Sequence, residues 1–139
     1  MRGSFVADAS VAVSWCTAAQ ASDVTDCLLD RIVAGAVAMV PPIWPYEIAN
    51  VLLSLARRKK LTFAEYSEAR LLLGRLRISV DGEGAVLAPT RVADLALEYE
   101  LTVYDAAYLE LAIRKQIPLA SRDQTLTQAA RRTGVSLLL

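Results

Sequence analysis

Short apolar segments alternate with amphipathic stretches along this chain, and that alternation constrains the fold more than any other feature. Predicted strands cover 4–7, 36–40, 78–80, 117–120 and 135–139. Each is a nearly continuous apolar run rather than an apolar–polar alternation, which is typical of strands buried on both faces of a parallel sheet. The pattern therefore predicts an α/β fold with three layers, α/β/α, around a short, mostly parallel central sheet.

Helix-like periodicity fills the spaces between these strands. Predicted helices cover 23–34, 45–60, 62–76, 86–99, 104–116 and 123–133. Ser22, Thr62 and Thr102 are typical N-cap residues, and Gly134 suits the left-handed position that ends a helix. Pro89 is compatible only with the start of its helix, because proline lacks the N–H that an interior position donates.

The 139 residues fall in the range of one domain, so we expect a single unit over 1–139. Hydrophobic residues make up 55% of the chain, but no apolar run reaches the roughly 18 residues of a membrane span. The apolar excess instead predicts a protein interface. Asp8 interrupts the apolar N-terminal stretch, so no secretory signal is predicted and a cytoplasmic location is expected.

The chain contains no histidine. This absence excludes histidine acid–base pairs, Ser-His-Asp triads and His-ligated zinc sites. The formal net charge is zero, whereas nucleic-acid-binding domains are often strongly basic. If several acids are gathered in one site, however, the remaining surface is net basic.

Four acids follow predicted strands or begin predicted helices: Asp8, Glu47, Asp105 and Asp123. Individually, each is explained as a helix cap or as a first-turn acid that complements the helix dipole. The carboxyl ends of parallel strands, however, meet at one edge of a sheet. Four carboxylates gathered there would repel one another strongly. We therefore expect a bound Mg²⁺ or Mn²⁺, since hard divalent ions prefer oxygen ligands.

Phosphodiester hydrolysis is the reaction that such a metal–carboxylate site favours. A haloacid-dehalogenase-type phosphatase needs a second aspartate two positions after the first, and Ser10 stands there. A phospho-accepting receiver module needs paired acids after the first strand and a lysine after a late strand, whereas "VADAS" has one acid and "LASRD" has no lysine. A non-catalytic or phospho-accepting Mg²⁺-binding α/β module for signalling or interaction stays open as the alternative.

Four segments, "FVADAS", "PYEIANVL", "TVYDAAYLELA" and "PLASRDQTL", resemble in order and spacing the acidic motifs of PIN-domain nucleases. The short chain resembles the VapC toxins of type II toxin–antitoxin pairs. This resemblance implies a PIN-like fold and a metal-dependent endoribonuclease, usually a homodimer, which a cognate antitoxin inhibits. It implies a metal-binding catalytic tetrad of Asp8, Glu47, Asp105 and Asp123, with Ser10, Asn50 and Ser121 as supporting polar residues.

Basic residues offer candidate contacts for the RNA phosphates. Arg122 lies between two site residues and is the favoured one. The run from Arg57 to Lys60 either steers phosphates or simply complements the C-terminus of its helix. The predicted helix pair over 46–76 is apolar on one face, which suits a dimer or antitoxin contact, although an ordinary core pair has the same pattern.

Overall fold

The computed structural model describes residues 3–139, which form four strands and eight α-helices. The strands are β1 (Phe5–Ala7), β2 (Ala38–Val40), β3 (Ile78–Val80) and β4 (Leu119–Ala120). The helices are α1 (Ala9–Cys16), α2 (Asp23–Val33), α3 (Trp44–Arg57), α4 (Phe63–Arg75), α5 (Gly84–Leu87), α6 (Ala93–Tyr99), α7 (Val103–Lys115) and α8 (Gln124–Arg132). None of these helices is long and apolar enough to cross a membrane.

All four strands are parallel, in the order β3-β2-β1-β4. In β1, at the centre, Val6 pairs with Met39 of β2 on one side and Leu119 of β4 on the other. All three residues of β1 are fully buried, as expected for a strand covered on both faces. The predicted α/β fold, a short parallel sheet flanked by helices, is confirmed.

The capping predictions hold in detail. Ser22 and Thr62 form reciprocal capping boxes at the starts of α2 and α4. The Thr102 side chain accepts from the backbone N–H of Asp105 at the start of α7. Gly134 follows α8 with a φ of +80°, a conformation that glycine adopts without the steric cost other residues incur.

Three parts of the sequence interpretation need correction. Helix α1 was not predicted, because its run of Ala, Val and Ser lacks a polar face and six of its eight residues are buried. The predicted strand 135–139 is wrong: it is reduced to a single bridge between Leu137 and Leu119. The predicted helix 86–99 is interrupted, since Pro89 lies inside a π-helical turn over Ala88–Val92 that joins α5 to α6.

The strand order creates a switch point between β1 and β4. From β1 the chain crosses through α1 and α2 to β2 on one side, whereas β4 lies on the opposite side of β1. Segments leaving the carboxyl ends of these two neighbours therefore diverge and leave a crevice between them. Asp8 leaves β1 at this crevice, and residues 121–123 leave β4 there.

Candidate functional site: an acidic cluster at the sheet edge

Asp8 is the most buried of the predicted site acids, with 8% of its surface exposed. It occupies the N-cap position of α1, yet its side chain makes no capping hydrogen bond. Its Oδ2 instead accepts from the hydroxyl of Ser121 at 2.6 Å and from that of Ser10 at 3.3 Å. Capping therefore does not explain this aspartate.

The two serine hydroxyls also join the loop after β4 to the end of β1. Ser121 Oγ accepts from the backbone N–H of Asp123 at 3.0 Å, and Ser10 Oγ accepts from that of Arg122 at 3.2 Å. Each hydroxyl thus donates to Asp8 while accepting from the β4–α8 loop. The arrangement fixes Asp8 relative to Asp123, and it places both predicted serines beside the first acid.

Glu47 lies in the first turn of α3, after the proline-containing corner that follows β2. Its Oε1 accepts from the phenolic hydroxyl of Tyr108 at 2.5 Å. Burial raises the pKa of Glu47, and repulsion from Asp8 and Asp105 raises it further, against the lowering effect of the Tyr108 hydrogen bond. Three of the four predicted acids are therefore close enough to influence one another.

Asp105 lies in the first turn of α7, half-buried. Burial raises the pKa of Asp105, and repulsion from Asp123 and Asp8 adds to the effect. Asp123 is exposed and caps α8, since its Oδ1 accepts from the N–H of Leu126 at 2.9 Å. The capping interpretation thus fits Asp123, although its charge still acts on Asp105.

Burial also raises the pKa of Asp8, the serine hydroxyls opposing this only in part. Within residues 3–139, neither Asp8 nor any of the other three acids forms an ion pair with a lysine or arginine. In the same range, no three Asp, Glu, His or Cys side chains stand close enough together to hold a metal ion as they are placed. The structure therefore shows acids at one edge, mutually repelling and without a basic partner.

The other predicted site residues are not held against the acids as the two serines are. Asn50 is exposed, one turn along α3 from Glu47, and its side chain makes no hydrogen bond to the described residues. Arg122 is exposed, and its guanidinium donates to Ser22 Oγ at 3.3 Å. The run beginning at Arg57 lies ten residues beyond Glu47, about 15 Å along the helix axis, so it is remote from the acids.

Tyr108 is a site residue that the sequence interpretation missed. It lies three residues after Asp105, hence on the same side of α7, and it is fully buried. Burial and the neighbouring Glu47 raise the pKa of its phenol far above the ordinary value. The segment "YDAAY" contains the signal, because a tyrosine at this spacing from a site acid has its hydroxyl within reach of the same pocket.

An apolar groove of about 260 Å³ lies beside the acidic edge. Its wall includes Tyr46 and Tyr104, which immediately precede Glu47 and Asp105. Both rings are largely exposed, at 76% and 59%. The groove thus offers aromatic surface next to the cluster of negative charge.

Comparison with known proteins agrees with this geometry. The family model for the PIN domain matches residues 5–132. The crystal structure of PAE2754 from Pyrobaculum aerophilum is similar in fold, with a TM-score of 0.69 and 20% identity over 97% of this chain and 90% of that one. No curated protein matches the chain. With nearly its whole length matched, the chain belongs to the PIN domain family, whose members are generally nucleases.

Proposed function

We propose that this protein is an Mg²⁺- or Mn²⁺-dependent endoribonuclease whose metal ligands are Asp8, Glu47, Asp105 and Asp123. One observation carries the proposal: the buried Asp8 after β1 and the half-buried Glu47 of α3 and Asp105 of α7 repel one another, and no basic side chain of the described residues neutralises them. A fold gathers such charges at a free energy cost unless a cation offsets it.

The donor set fits a hard divalent ion. All four ligands offer carboxylate oxygen, which Mg²⁺ and Mn²⁺ prefer, and the chain has no histidine to favour zinc. Within residues 3–139 the acids do not meet closely enough to hold an ion as they are placed, so metal binding requires the side chains to move toward it. When bound, the ion would polarise a phosphoryl oxygen and lower the pKa of a water molecule.

Hydrogen bonds from neighbouring residues orient the proposed metal ligands. Ser121 and Ser10 hold one oxygen of Asp8, which leaves the other available. Asp123 uses Oδ1 to cap α8, so its second oxygen remains for a ligand. Arg122, on the same loop, has no carboxylate partner among the described residues and is our candidate for an RNA phosphate.

The neighbouring groove favours a nucleic acid with unpaired bases as the substrate. Exposed tyrosines stack on bases that are not already stacked within a duplex. Tyr46 and Tyr104 lie one residue from Glu47 and Asp105, so a base against either ring would place its phosphate near the acids. This supports RNA cleavage within single-stranded or looped segments.

Purified protein should cleave a single-stranded RNA when Mn²⁺ is added, and EDTA should stop the reaction. We expect Asp8→Asn, which preserves the shape of the side chain, to lower kcat by at least about 100-fold, since it removes a ligand charge. Asp23→Asn is the matched control, because Asp23 is an exposed first-turn acid of α2 outside the cluster. Cleavage that survives EDTA, or an Asp8→Asn variant as active as the control, would overturn the proposal.

We also propose that the protein is a VapC-like toxin, cytoplasmic, homodimeric and inhibited by an antitoxin. A second groove, about 310 Å³ in volume, lies between α3 and α4 and includes Ile48, Leu52 and Tyr66. The exposed apolar side chains of Phe63 and Leu71 on α4 add to the apolar surface. Such a surface suits an amphipathic helix of a partner. A neighbouring gene for a small protein with a DNA-binding N-terminus and an apolar tail would support this role.

A further inference from the structure

We propose that Tyr108 is a positioning residue that orients Glu47 for metal binding, an inference that rests on the proposed function. Its hydroxyl donates to Glu47 Oε1. The contact joins α7 to α3, two helices that are remote in sequence and that each contribute a site acid, Asp105 and Glu47. The phenol therefore ties the helix that carries Asp105 to the Glu47 side chain of the other helix.

The tyrosine is well suited to hold another side chain in place. Its surface is fully buried within the main apolar core, so the ring has no freedom to reorient. A buried tyrosine hydroxyl needs a hydrogen-bond partner, and here Glu47 is that partner. A phenol is protonated at neutral pH, so the hydroxyl remains a donor.

Glu47 needs such support more than the aspartates do. Glutamate has one more rotatable bond than aspartate, so ordering it costs more conformational entropy. Asp8 is held by two serines and Asp123 by the N–H of Leu126. Within residues 3–139, Tyr108 makes the only hydrogen bond to the Glu47 side chain.

A phenol at this position also keeps the negative charge and one free oxygen of Glu47, both of which a metal ligand needs. An arginine or lysine at position 108 would neutralise Glu47 and compete with the cation. The neutral hydroxyl instead binds Oε1, leaves the charge in place and leaves Oε2 without a protein partner among the described residues. Tyr108 thus orients Glu47 without neutralising its charge or using both of its oxygens.

The test measures Mn²⁺ affinity by electron paramagnetic resonance on the full chain without RNA. We expect Tyr108→Phe, which keeps the ring and removes the donor, to weaken Mn²⁺ binding by about 10-fold or more, the range typical of groups that orient metal ligands. Tyr99→Phe is the matched control, because Tyr99 packs against the same core and its hydroxyl makes no hydrogen bond to the described residues. Its affinity should equal that of the wild type.

A double-mutant cycle with Glu47→Gln separates positioning from a general loss of packing. If Tyr108 acts through Glu47, Tyr108→Phe should have no further effect on Mn²⁺ affinity once the carboxylate is gone. An equal loss in both backgrounds would overturn the inference, as would wild-type affinity in Tyr108→Phe alone. Either of these results leaves the nuclease proposal intact, whereas a wild-type protein that binds no Mn²⁺ would overturn both.

Discussion

The two ends of α7 face two clusters of carboxylates, and only one of these clusters has a basic partner among the described residues. At its N-terminal end, Asp105 joins the acidic cluster at the sheet edge, which has no basic partner among the described residues. Toward its C-terminal end, Arg114 lies 3.6 Å from the exposed Glu83 and pairs more closely with two further acids: Glu110 on the same helix, at 2.9 Å, and Asp81 after β3, at 2.5 Å. Both of these acids are almost completely buried, at 1% and 3% of their side-chain surface.

The electrostatic consequence is opposite in the two clusters. Burial alone would raise the pKa of Asp81, but hydrogen bonds and charge from Arg114 lower it overall. Burial raises the pKa of Asp8, Glu47 and Asp105, and no cationic side chain in the described part of the chain reverses the effect. The chain thus supplies a cation where the acids serve the structure. Where it supplies none among the described residues, we propose that an external cation completes the cluster.

The largest effect should come from breaking the cluster that is already complete. Arg114→Met leaves Asp81 and Glu110 buried without their partner, which should lower the free energy of unfolding by about 3–5 kcal/mol in urea titrations. Arg91→Met is the control, because Arg91 is 56% exposed and lies 3.8 Å from Glu110. Exposed pairs contribute at most about 1 kcal/mol. A loss that small in Arg114→Met would show that the network is not a structural element.

This contrast shows which features of the structure the sequence alone could predict. Local signals such as the Ser22 and Thr62 caps, and the short apolar strands, predicted the four strands of the sheet and most of the helices, but not α1. The four acids could be placed at one edge because each follows a strand or begins a helix. The Asp81–Arg114 pair spans 33 residues with no local signal, and the Tyr108–Glu47 contact spans 61. Such contacts depend on how the elements pack, which periodicity does not specify.

A smaller effect should come from supplying the missing cation. At a Mn²⁺ concentration 100 times the dissociation constant, mass action should raise the free energy of unfolding by about 2.7 kcal/mol. The double variant Asp8→Asn/Asp105→Asn should lose this gain, because it removes two ligand charges. Arg114→Met should keep it in full, since its cluster is separate and distant effects add. An equal gain in all three proteins would mean that Mn²⁺ binds elsewhere.

The smallest effect should be a difference in how the two clusters change the stability of the metal-free protein with pH. The folded-state pKa of Asp105 lies above its ordinary value of 3.8, so the unfolded chain releases this proton first as pH rises. In EDTA, Asp105 therefore costs stability progressively as pH rises from about 3.8 through its folded-state pKa. Asp81 has the opposite sign: its lowered pKa gives stability that is lost as pH falls.

At neutral pH in EDTA, Asp105→Asn should therefore stabilise the protein, by up to about 1 kcal/mol for a half-exposed repulsive contact. Asp94→Asn is the matched control, an exposed first-turn acid of α6, and it should destabilise slightly because the helix dipole loses its partner. Urea titrations at a series of pH values measure both. Asp105→Asn would contradict this expectation if it destabilised the metal-free protein as Asp94→Asn does. Asp105 would then be an ordinary first-turn acid, and the electrostatic contrast between the two ends of α7 would disappear.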